Sequence, residues 1–356
     1  MNVYVMDHNF TIQYVIDNYI SLIWTQRYNQ RGDFEIMVKA SKENLAILQK
    51  GFYLIREKDM GSAVPSVMIV QNITVQTDVE NGDNLIVSGH DAKDIIHRRV
   101  INAQTVFNNQ SLKSIVQSLL TTHIISASGD RKISCFAFDG TPSIGATDMI
   151  TVQITGDNLG EYIEELLSKY GYGYEVYYHE ACFYFRLTDG VDRSMEQNIN
   201  QYVIFSENFD NLLSSSYQED MSDFASFAYV AGEGEGSDRK IRGIGSGAGL
   251  DRYELWVDAR DISSNDGEIT TSEYNSMLDA RGGESLAEHS TTVYFEGNVN
   301  DTVNYTLGVD YKLGDIVQVV TDYGISLPAR IAEIIESDDI NGEQMIPTFE
   351  YKGGLS

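Results

Sequence analysis

The chain has 356 residues and a formal net charge of −28, from 53 acidic and 25 basic side chains. A protein that binds the phosphates of nucleic acids needs clustered Lys and Arg to neutralise them. The acidic net charge therefore excludes the class of proteins that bind nucleic acid through the phosphate backbone. Hydrophobic residues make up 42% of the chain, with 22 Tyr and 4 Pro, which predicts a folded, β-rich protein of two or more domains.

Cysteine content and hydropathy indicate the compartment in which the protein folds. Cys135 and Cys182 are the only cysteines, which excludes a disulfide-dense scaffold and leaves open two free thiols or one bridge. No apolar run is long enough for a membrane span, and the first residues lack a basic segment followed by an apolar core. We therefore expect that the protein folds in a cytoplasm and does not insert into a membrane.

Residues 1–100 are predicted to form an N-terminal β-barrel-like domain. The apolar residues Phe34, Ile36 and Val38 occupy alternate positions, which is the pattern of a half-buried strand. Two short helices are also expected, at residues 41–48 and 91–98. The remaining strands are expected at residues 2–6, 9–16, 52–57, 66–77 and 84–90.

Residues 101–200 are predicted to form an α/β domain with two helices and an aromatic hairpin. The helices are expected at residues 110–122 and 157–170, where apolar residues recur at helical spacing. Asp157 is the expected cap of the second helix, and Gly171 is its expected end. The strands of the hairpin are expected at residues 172–179 and 181–188.

Residues 201–262 are predicted to return to strands and to carry a glycine-rich arm. The arm covers residues 232–249 and holds the basic residues Arg239, Lys240 and Arg242. Its glycines raise the entropic cost of ordering it alone. We therefore expect a flexible arm, or one that becomes ordered against an acidic surface of a neighbouring subunit.

Residues 263–356 are predicted to contain a short helix and a C-terminal β domain. Thr270 and Glu273 have the spacing of a capping box, which predicts that the helix begins there. The β-branched run at 316–320 and the run at 327–335 predict a hairpin. A tight turn should precede this hairpin, with Gly314 at positive φ.

Residue spacing supports no catalytic, cofactor-binding or metal-binding site. None of the six histidines belongs to a His-Glu-x-x-His pair or to a cysteine set at zinc spacing. His179 and Cys182 are better explained as turn residues of the aromatic hairpin than as a metal or thiol site. Residues 262–273 partly match a calcium loop, but Ile262 stands where a carboxylate is required. We therefore predict a protein without enzymatic activity and without a cofactor.

Aromatic residues leave one alternative open, a cell-wall hydrolase or carbohydrate-binding module. Exposed aromatic rings can stack on sugars, although packing between strand faces explains them better. The residues concerned are Tyr172, Tyr174, Tyr177, Tyr178, Tyr184 and Trp256.

Short motifs along the chain occur in an order that resembles a siphophage tail hub family. The family forms the structural N-terminal part of tail-associated lysins and is similar to the baseplate hub of contractile-tailed phages. The resemblance covers almost the whole chain. Its motifs are Trp24, Tyr28, residues 32–35 and 85–89, Arg98 and Arg99, residues 254–261, the helix with Tyr274, Leu278 and Arg281, and residues 311–330.

The resemblance implies an α+β, mainly β fold, with tail-hub-like β-barrels and smaller α/β insertions. It implies a structural protein of a phage or prophage tail, made in the host cytoplasm and located in the virion at the tail tip or baseplate. Such hubs form a homotrimeric ring below the tail tube, contact the distal tail protein and the tape measure protein, and let DNA pass without specific binding. Many members carry a C-terminal hydrolase or adhesion region, which we expect to be absent or removed because the chain stops at Ser356.

Overall fold

The computed structural model describes residues 1–77, 82–264, 267, 269–299 and 304–351. The N-terminal strands are β1 (Val3–Met6), β2 (Ile12–Ile16), β3 (Ser21–Arg27), β4 (Asp33–Lys39), β5 (Tyr53–Arg56), β6 (Val67–Gln76) and β7 (Asn84–Asp91). The short helices among them are α1 (Lys42–Ile47), α2 (Glu57–Met60) and α3 (Asp94–His97). The middle of the chain contains β8 (Thr105–Ser111), α4 (Leu112–Leu120), β9 (Phe136–Asp139), β10 (Met149–Ile154), α5 (Leu159–Lys169), β11 (Gly173–His179) and β12 (Cys182–Thr188).

In the described residues, the last part of the chain contains seven further strands, a final two-stranded hairpin and one long helix. Its elements are β13 (Ile204–Ser206), β14 (Leu212–Asp220), β15 (Phe227–Ala231), β16 (Ile241–Gly245), β17 (Glu254–Asp258), α6 (Thr271–Glu288), β18 (Thr292–Val299), β19 (Ile316–Val320), β20 (Ser326–Asp339) and β21 (Gly342–Tyr351). The α+β, mainly β class predicted from the sequence is therefore confirmed.

Among the described residues, thirteen strands form one sheet, and they come from both ends of the chain. Its main path runs β14-β18-β21-β20-β3-β4-β7-β6-β5-β1-β2, with β19 joining β20 and β13 joining β19. The two β portions meet where β20 pairs antiparallel with β3, from Glu333 opposite Arg27 to Asp338 opposite Leu22. β20 serves both portions because it is long: its first residues pair with β19 and its later residues with β3.

The remaining strands form three smaller sheets. β8 pairs with β10, β12 lies between β11 and β9, and β15 lies between β16 and β17. In the parts of the chain that the structure describes, the main path of the large sheet is open, with β14 and β2 at its ends. Closed β-barrels therefore stay a prediction from the resemblance, and the division into four domains stays a prediction from the sequence.

In the part of the chain that the structure describes, four hydrophobic clusters fill the space between these layers. One lies within the N-terminal strands and includes Trp24 and Phe34. The largest joins the N-terminal strands to α4 and α5, where Ile115 and Leu167 are buried. A third lies under the C-terminal strands around Phe349, and a fourth lies between the small β16-β15-β17 sheet and α6. The middle segment thus shares its core with the first β portion.

The two predicted helices of the middle segment are present, with one change at a cap. Ser111 caps α4 by accepting from the Ser114 N–H. Asn158, not Asp157, caps α5: its side chain accepts from the N–H groups of Gly160 and Glu161. The prediction of Asp157 was wrong because the helix begins one residue later than expected. α5 ends at Lys169, and Gly171, the predicted stop residue, follows it with φ 72°.

The glycine-rich segment is folded rather than a free arm. β16 lies within residues 232–249 and pairs antiparallel with β15, from Ile241 opposite Ala231 to Gly245 opposite Phe227. Arg242 of this segment also bonds to Asp279 of α6, with Nε 2.5 Å from Oδ1. The expectation of a flexible arm is corrected for β16, because its backbone hydrogen bonds are made within the same sheet.

The capping box, the turn and the hairpin that the sequence predicted are present in the structure. Thr270 and Glu273 form a reciprocal capping box at the start of α6. Gly314 adopts φ 92° in the turn before β19. The aromatic hairpin pairs in full register, from Gly173 opposite Thr188 to His179 opposite Cys182. No α-helix in the described residues is both long enough and apolar enough to cross a membrane.

Candidate assembly surface

The residues weighed for thiol or metal chemistry lie at a hairpin turn. His179 is the last residue of β11 and Cys182 the first of β12, and the two residues between them adopt φ 47° and 60°. Cys182 and Cys135 are both free thiols. Within the described ranges, no three His, Cys, Asp or Glu side chains are arranged to hold a metal ion.

The calcium-loop match at residues 262–273 falls partly outside the described residues. Its last carboxylate, Glu273, accepts from the backbone N–H of Thr270 at 3.0 Å and from its hydroxyl at 2.7 Å. The neighbouring Asp261 is bonded to Arg281 at 2.8 Å. Both carboxylates therefore act in fixing α6 and its N-terminus.

Eight antiparallel strands form a continuous face across the molecule, in the order β14-β18-β21-β20-β3-β4-β7-β6. Alternate side chains such as Trp24, Phe34 and Val87 are buried on one side. The side chains between them form the opposite, outer side. One row across that side is Gln344, Ser337, Ile23, Glu35, Ser88 and Asn72. This row is polar except for Ile23, and it contains a carboxylate but no basic residue.

This face ends in two open strand edges. Among the described residues β14 pairs only with β18, and eight of its nine residues are exposed. At the other end, β5 covers only Val67, Met68 and Ile69 of β6, so that residues 71–76 have β7 on one side alone. An open edge presents backbone N–H and C=O groups that another strand can pair with. Sequence reasoning did not find these edges, because they depend on which strands are neighbours.

Tyr28 connects three parts of the chain behind this face. Its hydroxyl lies 3.3 Å and 3.2 Å from the carbonyl oxygens of Gly171 and Thr188, and it accepts from the Gly190 N–H at 3.2 Å. The guanidinium of Arg330 stacks over its ring. Burial raises the pKa of Tyr28 to about 12, which keeps the hydroxyl protonated as a donor. The turn after β3 is thereby fixed to both the aromatic hairpin and β20.

A buried arginine connects the end of β5 to β20. Arg56 is 1% exposed, and its guanidinium lies 4.6 Å from the centroid of the Trp24 ring. It donates to Asp59 at 2.6 Å and to Glu336 of β20 at 2.8 Å, and Glu336 also pairs with Lys58. Burial opposes ionisation of Glu336, but Arg56 and Lys58 outweigh it and hold its pKa below the usual value. An ion-pair network therefore joins the two β portions here.

Carboxylates crowd the groove between α5 and α6. The groove has a volume of about 570 Å³, and its lining includes Glu161, Glu165, Glu284 and Glu288. Lys169 partly offsets this charge by pairing with Glu284 at 3.2 Å. Partial burial, followed by the charges of nearby carboxylates, Glu288 first, raises the pKa of Glu165 to about 7. The groove accounts for one concentration of the acidic charge seen in the sequence.

The aromatic residues weighed for sugar stacking fall into two groups. Tyr174 is buried, and Tyr177 stacks on Tyr184 with ring centroids 5.5 Å apart. These residues pack within the hairpin, as we expected from the sequence. Trp256 differs, because it is 55% exposed on the small β16-β15-β17 sheet.

Solved structures of the same fold include proteins described as tail proteins, two of them from prophages. A tail protein from Neisseria meningitidis MC58 superposes with a TM-score of 0.59 at 10% identity, covering 99% of this chain and 96% of that one. The 43 kDa tail protein of prophage MuSo2 from Shewanella oneidensis gives 0.56 at 14% identity, covering 98% of both chains. Prophage tail protein gp18 from Listeria monocytogenes EGD-e gives 0.54 at 13% identity, covering 100% and 96%. No protein with a curated description matches the chain.

The fold is thus that of phage tail proteins. The particular family follows from the sequence profile of the Siphovirus ReqiPepy6 Gp37-like protein, which matches residues 2–349. The chain belongs to this siphovirus family, and the resemblance to a siphophage tail family is confirmed.

Proposed function

We propose that this protein is a structural hub of a phage or prophage tail, in which three copies form a ring below the tail tube. The observation that carries the proposal is the continuous face of eight antiparallel strands. Four of these strands come from the C-terminal part of the chain and four from the N-terminal part. Each copy would contribute two similar four-stranded units, so that three copies match a six-fold tube above.

The number of strands fits ring closure. Directions alternate along the eight strands, so β6 at one end runs antiparallel to β14 at the other. When β14 of the next copy adds to the open part of β6, the antiparallel alternation continues across the contact. A closed cyclic assembly of this kind covers the β14 edge and the open part of β6, so neither stays available for uncontrolled pairing.

The charge of the outer face suits a channel for DNA. Its central row carries Glu35 and no basic side chain. Arg27, on the same side, pairs with Asp33 and Glu333. Lys39 is the other basic residue of β3 and β4 on this side, and the chain as a whole has a net charge of −28. Such a surface repels phosphate rather than binding it, so DNA would slide through without specific contacts. The related solved structures are described as tail proteins, which supports a place in the virion at the tail tip or baseplate.

The partners of such a hub are further copies of the chain, the distal tail protein and the tape measure protein. The role proposed here is structural and non-enzymatic. Incubation of the pure protein with cell walls should release no soluble fragments and cause no loss of turbidity. Release of fragments, abolished by heating the protein, would instead favour the cell-wall hydrolase alternative.

The oligomeric state across a salt series tests the ring. Strongly acidic copies repel one another, and the Debye length falls from roughly 30 Å to roughly 3 Å between about 0.01 M and about 1 M salt. We therefore expect monomers at low salt and a growing trimer population as salt rises, measured by mass photometry or sedimentation. A stable dimer or tetramer would contradict the proposal.

A further inference from the structure

The small β16-β15-β17 sheet has one covered face and one open face. Ala228 and Val230 of β15 are buried, and a Cβ added to Gly282 of α6 would lie 2.6 Å from Val230. That face therefore packs closely on α6. Side chains alternate along a strand, so Tyr229 and its register partner Trp256 lie on the other face.

Two guanidinium–carboxylate pairs flank the exposed Trp256. Along β17 the outward side chains are Glu254, Trp256 and Asp258. Arg252 donates to Glu254 at 2.6 Å, and its guanidinium lies 3.5 Å from the centroid of the Phe227 ring.

The second pair lies at the other end of the strand. Arg239 donates to Asp258 at 2.6 Å, and its guanidinium lies 5.7 Å from the centroid of the Trp256 ring. Carbonyl oxygens of Ala231 and Gly232 also accept from Arg239, which fixes its position. The open face thus presents aromatic rings with oriented hydrogen-bond donors and acceptors on both sides.

The charge of this region differs from that of the rest of the chain. Residues 224–260 contain six acidic and five basic side chains, within a chain of 53 and 25. The basic cluster predicted to dock on an acidic surface is compensated, since Arg239 and Arg242 pair with Asp258 and Asp279. A nearly neutral face attracts neither phosphates nor a strongly charged protein.

The side chains around the rings favour a sugar over a protein. Hot spots of protein interfaces are also enriched in Trp, Tyr and Arg, but they occupy well-packed pockets from which water is excluded. Here Gly243, Glu254 and Asp258 surround Tyr229 and Trp256, with Ile241 as the one large aliphatic side chain on β16 facing this side. A pyranose ring has apolar C–H faces and a rim of hydroxyls, which matches flat aromatic rings beside paired donors and acceptors.

We propose that this face binds a neutral polysaccharide chain, with sugar rings stacked on Trp256 and Tyr229. Hydroxyl groups bond to the Arg239–Asp258 and Arg252–Glu254 pairs at either side. The inference does not depend on the ring, because it concerns one face of a small sheet within a single copy.

The two tryptophans make the test direct. Trp24 is fully buried and Trp256 is exposed, so quenching of tryptophan fluorescence by acrylamide reports on Trp256. We expect chitotetraose, cellotetraose or maltotetraose to protect the fluorescence in a saturable manner. Binding of the protective sugar, measured by calorimetry, should weaken about tenfold in Trp256→Ala, the change that loss of one stacked ring brings.

Tyr323→Ala is the matched control, because Tyr323 is 91% exposed in the turn between β19 and β20 and lies outside this face. It should bind the sugar as the unaltered protein does. The proposal is overturned if none of the three sugars protects Trp256, or if Trp256→Ala binds sugar with unchanged affinity. It is also overturned if Trp256→Ala abolishes self-association and leaves sugar binding intact, since the face would then bind protein.

Discussion

The guanidinium of Arg330 lies 4.9 Å from the centroid of the Tyr28 ring, so a residue of β20 stacks on the residue that follows β3. Two glycines approach the same ring: a Cβ added to Gly173 or Gly314 would lie 2.3 Å or 2.2 Å from one of its carbons. Tyr28 is therefore enclosed by the middle and C-terminal parts of the chain. Neither glycine leaves room for a side chain.

Gly314→Ala should destabilise the protein by about 3 kcal/mol or more, because it combines a positive φ with a clash in a packed site. The native residue has φ 92°, and its Cβ would meet the Tyr28 ring. Urea unfolding followed by circular dichroism measures the change in free energy of unfolding.

Gly324→Ala is the matched control for this substitution. Gly324 has a similar φ of 85°, but nothing lies within 4 Å of its Cβ position. Gly324→Ala should lower the free energy of unfolding by only about 1 kcal/mol, because a side chain at positive φ strains the backbone. Equal losses in the two variants would mean that contact with Tyr28 adds nothing to the folded state.

Arg56→Met should destabilise the protein by about 3 kcal/mol, because it leaves two largely buried carboxylates without their arginine, although Glu336 keeps Lys58. Arg56 donates to both Asp59 and Glu336, and its side chain is 1% exposed. Arg260→Met is the control: that side chain is 67% exposed and pairs with Asp258. The control should leave the free energy of unfolding nearly unchanged, because an exposed ion pair contributes little to stability. Similar losses in the free energy of unfolding for the two variants would mean that the contacts of Arg56 with Asp59 and Glu336 do not stabilise the fold.

Stability should fall in acid partly through Glu336. Its pKa in the folded protein is below the ordinary value of 4.5, so its ionised form stabilises the fold above about pH 4.5. That contribution is lost as pH falls through the lower, folded-state pKa. Urea unfolding at several pH values should show a smaller acid loss in Glu336→Gln, which starts from a lower stability near neutral pH. An unchanged slope would show that Glu336 does not contribute.

Glu165→Gln should stabilise the protein above pH 7 and have little effect below about pH 4.5. The folded-state pKa of about 7 lies above the ordinary value of 4.5, so ionisation costs stability as pH rises through this window. Removing one like charge from a helix surface contributes roughly 0.5 kcal/mol. Thermal unfolding across this pH range measures the effect, with Glu180→Gln in the exposed hairpin turn as control. A stabilisation that is the same at all pH values would exclude titration of Glu165 as its cause.

The features predicted from sequence are those with local signals. The capping box at Thr270, the turn at Gly314 and the β11–β12 hairpin each depend on residues a few positions apart. The pairing of β20 with β3 and the bond between Arg56 and Glu336, 280 residues apart, have no such signal. β9 was missed for the same reason, because its short apolar run becomes a strand only by pairing with β12. The open edges of β14 and β6 follow from the strand order, which sequence periodicity does not define.

The central claim is that β14 of one copy adds to β6 of the next. Ser216 of β14 and Thr74 of β6 lie on the outer side of the sheet, one at each open edge. The most direct test prepares Ser216→Cys and Thr74→Cys separately and treats each, and their mixture, with a bifunctional maleimide at a salt concentration that favours trimers. The unaltered protein accounts for any reaction of Cys135 and Cys182. We predict covalent dimers in the mixture and none with either variant alone; dimers from one variant alone, or none from the mixture, would contradict the head-to-tail ring.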